Sequence, residues 1–170
     1  DRVYLGEREH FRAHLAGGDR LFISKPLKGK VSGKWSIQFT RPILVDDKFK
    51  GVIVVSVSPE TIVAFSEKLT SDTAVTLVAD SGDIMARQPD HAQGIGGKLT
   101  GTPYLAPDAP ISGNFSRRAQ VDGVERLYGF YRLPEYGFSF VIGHAVEDVL
   151  AGYYSHRLRV LGVASGVSVA

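Results

Sequence analysis

The chain has 170 residues, 44% of them hydrophobic and 22% charged, enough for one large domain or two small ones. Its 20 basic side chains stand against 18 acidic ones, a net charge of +2, which argues against a nucleic-acid footprint. It has no cysteine, which excludes thiolate metal sites, a catalytic thiol and disulfides.

The sequence opens at Asp1-Arg2-Val3-Tyr4 without a methionine or an apolar leader and reads as a piece of a longer protein. Residues 4–15 mix charges and aromatics and predict a loop entering a short helix that stops at Gly17-Gly18. Leu21 to Lys25 predicts a short strand closed by Pro26, and Lys28 to Gly33 a basic loop. From Gly33 to Ser58 the chain reads as two long strands with a polar break at Val45-Asp46-Asp47-Lys48. Trp35, Ile37, Phe39, Arg41 and Ile43 alternate with Ser36, Gln38, Thr40 and Pro42, the period of a sheet with two different faces, and Val52 to Val57 is β-branched apart from Ser56. Ser58-Pro59-Glu60 then starts a helix, with a capping hydroxyl, proline at the first position and an acid at the positive end of the dipole. Ile62, Phe65 and Leu69 give that helix its apolar stripe.

After a polar joint at 70–73, Ala74–Ala79 and Ile84–Arg87 predict a hairpin across Asp80-Ser81-Gly82-Asp83. Residues 88–113, rich in Gly and Pro, predict a long excursion with a short helix inside it. Three strands follow, Asn114–Val121, Glu125–Leu133 and Phe138–Ala145, and Val146-Glu147-Asp148-Val149 opens a terminal helix through Tyr154. Gly51–Glu60 and Phe138–Glu147 echo each other, a strand followed by an acidic helix start. The expected fold is therefore α+β: two tandem antiparallel sheet units, the first truncated at its N-terminus, and a C-terminal helix. The expected divisions are 1–69, 70–145 and 146–170. Val160 to Ala170 is uncharged; it is either the start of a membrane helix, which needs roughly 20 apolar residues, or a loose tail.

The chemistry-bearing residues each allow two readings. Arg41 shares a strand face with Trp35 and Phe39, where it either caps aromatic rings or recognises an anion. Arg8 either pairs with Glu7 or Glu9 or presents a guanidinium fork to a carboxylate or phosphate. His10 and His14 are four apart, a spacing compatible with a metal on a helix, yet no third ligand stands nearby; His10 is instead a candidate polar or pH-sensitive pocket group. Ser24 and His144 lack any G-x-S-x-G frame, so no catalysis and no cofactor are expected of this chain. Lys25, Lys28, Lys30 and Lys34 are either a solvated loop or an anion attractor. Asp122-Gly123 reads as turn chemistry, and Tyr128, Tyr131 and Tyr136 as core of the second unit.

Two tandem units of strand–strand–excursion–strand–strand–strand resemble the double Cache (PAS-like) sensor domains. Arg8-Glu9-His10-Phe11, Ile23-Ser24-Lys25-Pro26, Gly33-Lys34-Trp35-Ser36-Ile37 with Thr40-Arg41, Asp80 to Arg87 and Val121 to Arg126 are similar to successive blocks of that family. The resemblance implies an extracytoplasmic module at the bacterial inner membrane, homodimeric, held between membrane helices and serving a diguanylate cyclase, or else a histidine kinase or chemoreceptor. Amino-acid-binding members carry R-x-W-[YF] and a later Asp. Arg8 and Phe11 match the first motif, His10 replaces its Trp, and Ser56 and Ser58 stand where the Asp would be. The resemblance thus implies a small anionic or zwitterionic solute in the first unit, held among Arg8, His10, Phe11, Trp35, Arg41, Ser24 and Ser56, with the Arg8–Phe11 segment facing the Trp35–Arg41 strand. A module that only dimerises or transmits is the alternative.

Overall fold

Alternating apolar and polar residues between Trp35 and Val57 form the longest antiparallel pair, β3 (Trp35–Val45) with β4 (Lys48–Val57). The computed structural model describes residues 6–29, 32–69, 73–89 and 94–151. The two strands run in register from Ile37↔Val57 to Val45↔Lys48, with one shift between Ile43 and Leu44. Asp46 and Asp47 make the turn with φ of 51° and 58°. Two left-handed residues match the twist of the hairpin, and aspartate enters that region more readily than most side chains.

The other edge of β3 takes two short strands in succession. β1 (Phe22–Ile23) pairs Ile23 with Phe39, and β2 (Leu27–Lys28) pairs Leu27 with Ser36. The sequence reads Lys28 as loop; the free edge of β3 and the Trp35 ring, 5.3 Å under the Lys28 ammonium, draw it into a strand. Before these strands lies α1 (Glu9–Arg12), a single turn.

α2 (Pro59–Val63) starts as its sequence predicts, with the Thr61 N–H donating to Ser58 Oγ at 3.2 Å. It then tightens into a 3₁₀ turn, Ala64–Lys68. That change of pitch rotates the expected stripe. Val63 is buried, whereas Phe65 and Leu69 are exposed, although Phe65 still meets the edge of Phe140 at 6.1 Å.

The second unit contains β5 (Thr73–Ala79), β6 (Ile84–Gln88), β7 (Ser112–Arg118), β8 (Glu125–Leu133) and β9 (Phe138–Ala145). The sheet is antiparallel throughout, in the order β6-β5-β9-β8-β7. The β5–β6 turn needs Gly82, at φ 86°: a Cβ there would lie 2.3 Å from the Leu99 carbonyl oxygen. The excursion between β6 and β7 carries a 3₁₀ turn, Pro103–Leu105, and lies over one face of the sheet. Leu99, Tyr104 and Leu105 pack there on Val78, Phe115, Phe130 and Val141.

The opposite face of β5 and β6 receives the first unit. Ile37 and Val63 join Val75, Leu77, Met85 and Ala86 in one apolar cluster, with Ile23, Phe39 and Phe140 packed against it. Tyr131 and Tyr136 are 55% and 54% exposed and so are not core, in contrast to Tyr128, which packs on Phe115. Residues 146–151 are helical after β9; the continuation through Tyr154 and the apolar segment 160–170 lie outside the described residues. Among the described residues no helix is long and apolar enough to cross a membrane.

Ile37 is 1% exposed within a cluster drawn from both units. Ile37→Ala should therefore cost about 2–5 kcal/mol, with both sheets melting in one transition. Ile53→Ala, at a 59% exposed position, should stay within about 0.5 kcal/mol. Urea denaturation followed by far-UV circular dichroism and by Trp35 fluorescence checks this; non-coincident curves in the wild-type chain would show that the core is not shared.

Candidate functional site

Consecutive residues of a strand point to opposite sides, and the two sides of β3 meet different surroundings. On the even-numbered side lies a run of buried hydrogen bonds. Thr40 Oγ1 donates to the His10 carbonyl at 3.1 Å, so the 2.9 Å bond to His14 must come from the His14 Nε2–H. The Gln38 N–H donates to Ser24 Oγ at 2.9 Å, Gln38 Nε2 donates to Ser36 Oγ at 2.9 Å, and the Ser56 hydroxyl donates to Gln38 Oε1. Phe11 sets its edge against Phe49, with ring centres 5.5 Å apart. Arg8 is half-buried beside His10 and is paired with no carboxylate among the described residues.

His10 and His14 are both buried, and the Nδ1 of each has no partner among the described residues. Burial, and after it the Arg8 charge, hold the His10 imidazole below its ordinary value of 6.5, against a smaller opposing pull from Glu9.

The odd-numbered side of β3 corrects the expected site. Ile37 and Phe39 belong to the core shared with the second unit. Trp35 lies under Lys28, with Gly96 of the second unit against its ring. Arg41 is exposed, 3.7 Å from the Asp19 carboxylate, an ion pair worth about 0–1 kcal/mol. Arg8, His10, Phe11, Ser24 and Ser56 are thus gathered on one side of the sheet, and Trp35 and Arg41 lie on the other. The pleat separates Thr40 from Arg41 whatever the loops do, so the Arg8–Phe11 segment cannot face both. The basic run is also partly engaged: Lys25 Nζ lies 2.9 Å from Asp83, which a Ser81 hydroxyl also contacts.

A second polar cluster sits in the β5–β9 sheet, at residues the sequence reading assigned to a turn or left unremarked. Asp122 does make the turn, accepting the Val124 N–H at 3.2 Å. Its carboxylate is also shared by two buried guanidinium groups, with Arg87 Nη2 at 2.9 Å from Oδ2 and Arg126 Nη1 at 2.7 Å from Oδ1. Burial alone would raise the Asp122 carboxyl, but the hydrogen bonds from Arg126 and Val124 and the two positive charges outweigh it and hold the group below its ordinary value. Arg126 and Tyr128 cross β9 at Gly143, where a Cβ would lie 2.4 Å from the Tyr128 ring. The available signal was slight: Asp122 and Arg126 are four apart across a turn, and Arg87 is a lone cation in an apolar strand. Among the described residues no group of three or more His, Asp or Glu could hold a metal ion.

Because the folded state keeps His10 neutral, the unfolded chain binds the extra proton below pH 6.5. The contribution of His10 should be constant above that pH and turn against the fold as pH drops through it, and His10→Gln should lose less stability between about pH 7.5 and 5.5. Equal losses in urea melts of the two proteins would remove His10 as the cause. Asp122→Asn, which leaves two buried guanidinium groups without an anion, should cost about 3–5 kcal/mol in the same assay; a loss under 1 kcal/mol would contradict the shared-carboxylate geometry.

Among curated proteins none matches this sequence. Residues 63–143 match a dCache_1-like family model described as "Histidine kinase sensor domain". In fold, the chain is similar to the extracellular domain assigned to a histidine kinase, rpHK1S-Z16, with a TM-score of 0.77 and 21% identity, covering 88% of this chain and 64% of that one. It is also similar to the ligand-binding domain of the Pseudomonas aeruginosa amino acid chemoreceptor PctB, solved with L-Arg, with a TM-score of 0.67, 17% identity and coverage of 88% and 64%. The ligand-binding domain of the Pseudomonas fluorescens chemoreceptor CtaA, solved with L-serine, gives a TM-score of 0.61, 18% identity and coverage of 85% and 63%. The chain spans less than two thirds of the length of each of these domains. Residues 63–143, just under half of the chain, thus match the sensor-domain family model, and the fold over most of the chain is similar to that of these extracellular and ligand-binding domains.

Proposed function

We propose that the chain is the extracytoplasmic sensory part of a bacterial membrane-bound signalling protein, and that its first unit binds a small anionic or zwitterionic solute. The observation that carries this reading is the half-buried Arg8 guanidinium, without a carboxylate partner among the described residues, at the edge of a hydrogen-bonded polar face, within a fold similar to that of amino-acid-bound chemoreceptor domains. Arg8 would grip a carboxylate through charge-assisted hydrogen bonds. Phe11 would supply a wall, with His10, Ser24 and Ser56 as polar neighbours. Trp35 and Arg41, on the far side of β3, take no part.

No activity is proposed for the chain itself; its product is a change of shape. A solute signals only if it favours one arrangement of the units over another, and the apolar cluster joining β3 and α2 to β5 and β6 offers a mechanical route from the first unit to the second and on to the helix after β9. For the attached output, the family description favours a histidine kinase, and the fold neighbours a kinase or chemoreceptor, over the diguanylate cyclase expected from the sequence. Attachment to the membrane through flanking segments and homodimerisation belong to the same proposal.

A thermal-shift screen with amino acids and small carboxylates tests this. A bound solute at about 100 times its Kd should stabilise the chain by about 2.7 kcal/mol. Arg8→Ala should abolish that gain and Arg41→Ala should leave it, while sedimentation velocity on the same samples reports the homodimer. A hit that depends on Arg41 and not on Arg8 would overturn the assignment, as would the absence of any hit at millimolar solute.

A further inference from the structure

The excursion that covers the β5–β9 sheet does not seal it completely. Tyr104, Leu99 and Leu105 fill the centre. Towards the ends of β6 and β7 they leave a cavity of about 40 Å³ lined by Thr76, Arg87, Tyr104, Phe115, Arg117 and Tyr128 among others. At roughly 10–15 Å³ for each water-sized group, that is room for about three to four such groups.

Charge around this cavity does not balance. Arg87 and Arg126 share the one carboxylate of Asp122, one oxygen each. Arg117 stands directly opposite Arg126 in the β7–β8 register, on the same face of the sheet. Like charges in that relation repel. Arg117 is held by the carbonyls of Thr100 and Gly101, at 3.1 and 3.0 Å, and by no carboxylate among the described residues. Among the described residues, three guanidinium groups therefore stand around one anion, and no acidic side chain lines the cavity. Arg87 and Arg126 are 3% and 6% exposed, so water offsets little of the excess, and the Nε–H of each is buried without a partner among the described residues. A buried excess of positive charge beside an open volume is stabilised by a bound anion more than by any rearrangement of apolar walls.

We propose that this cavity is a second ligand site, in the second unit, for a short-chain monocarboxylate of about three to five heavy atoms, such as acetate or propionate. The carboxylate takes the Arg117–Arg87 side, and the alkyl end lies among Phe115, Tyr104 and Tyr128. The aromatic walls select against a fully hydrated inorganic anion, and the volume excludes longer chains. The site stands on different residues from the Arg8 site and does not depend on it.

The test is a calorimetric and thermal-shift titration of the chain with sodium acetate and propionate, against hexanoate, inorganic phosphate and chloride at matched ionic strength. Acetate and propionate should bind saturably and shift the near-UV signal of the tyrosines; hexanoate, phosphate and chloride should not. Arg117→Gln, a half-exposed position whose loss strands no buried partner, should weaken binding about ten- to a hundredfold. Ala119→Leu, which fills the cavity from its rim, should abolish binding, while Arg8→Ala should leave it unchanged. Circular dichroism verifies that each variant is folded. The proposal is overturned by an equal response to chloride, by binding that survives both Arg117→Gln and Ala119→Leu, by binding lost in Arg8→Ala alone, or by no saturable binding up to about 50 mM. In the last case, a distal hit in the amino-acid screen would leave the Arg8 reading standing.

Discussion

The two-residue period of β3 is the constraint on which the rest of the molecule depends. Because Cβ atoms alternate across a strand, the side that offers Ile37 and Phe39 to the second sheet cannot also offer Thr40 and Gln38. One side is spent on joining the units, and the other holds a polar face under the Arg8 segment. A slip of one residue against β4 would exchange the two sides, burying Gln38 and Thr40 against Val75 and Met85 and exposing Ile37. That penalty, several kcal/mol for each unsatisfied polar group and each exposed apolar one, is what makes the register unique.

The same arrangement would carry the effect of a solute bound, as proposed, in the first unit to the second. Close-packed interiors do not deform continuously, so a shift at β3 or α2 is passed to β5 and β6 through contacts that have no slack. The β5–β9 sheet is packed on one face by Tyr104 against Phe130, and it is electrostatically loaded at one end, where one carboxylate answers two guanidinium groups. Binding of an anion there would change the load on the sheet from which the chain leaves into the helix at 146–151. Two sites on one rigid path would let a sensor combine two solutes, each acting through its differential affinity for the same pair of arrangements.

Much of the architecture was legible because the physics is local. The alternation in β3, the Asp46-Asp47 break, the Ser58-Pro59 helix start and the hairpin at Asp80–Asp83 are each dictated by residues within a few positions of one another. The errors occur where a distant partner decides. Lys28 becomes a strand because β3 presents an edge; Phe65 and Leu69 are exposed because a 3₁₀ turn replaces the α pitch; Tyr131, opposite Phe140 on the face that receives the first unit, and Tyr136, in the β8–β9 turn, stay exposed. Asp122 looks like a turn residue because it is one. Its second task depends on Arg87, 35 positions away, which no local pattern announces.

The sequence by itself determined that Arg41 lies on the same side of β3 as Trp35 and Phe39, since a strand leaves no other choice. It also supplied the residues of the Arg8 segment that resemble a carboxylate-binding motif. Which way that side of β3 turns was decided only by the tertiary structure. Ile37 and Val63 are buried in one apolar cluster with Val75, Leu77 and Met85 of the second sheet, so the aromatic side goes to the core and Arg41 is carried to its solvent-exposed end, beside Asp19.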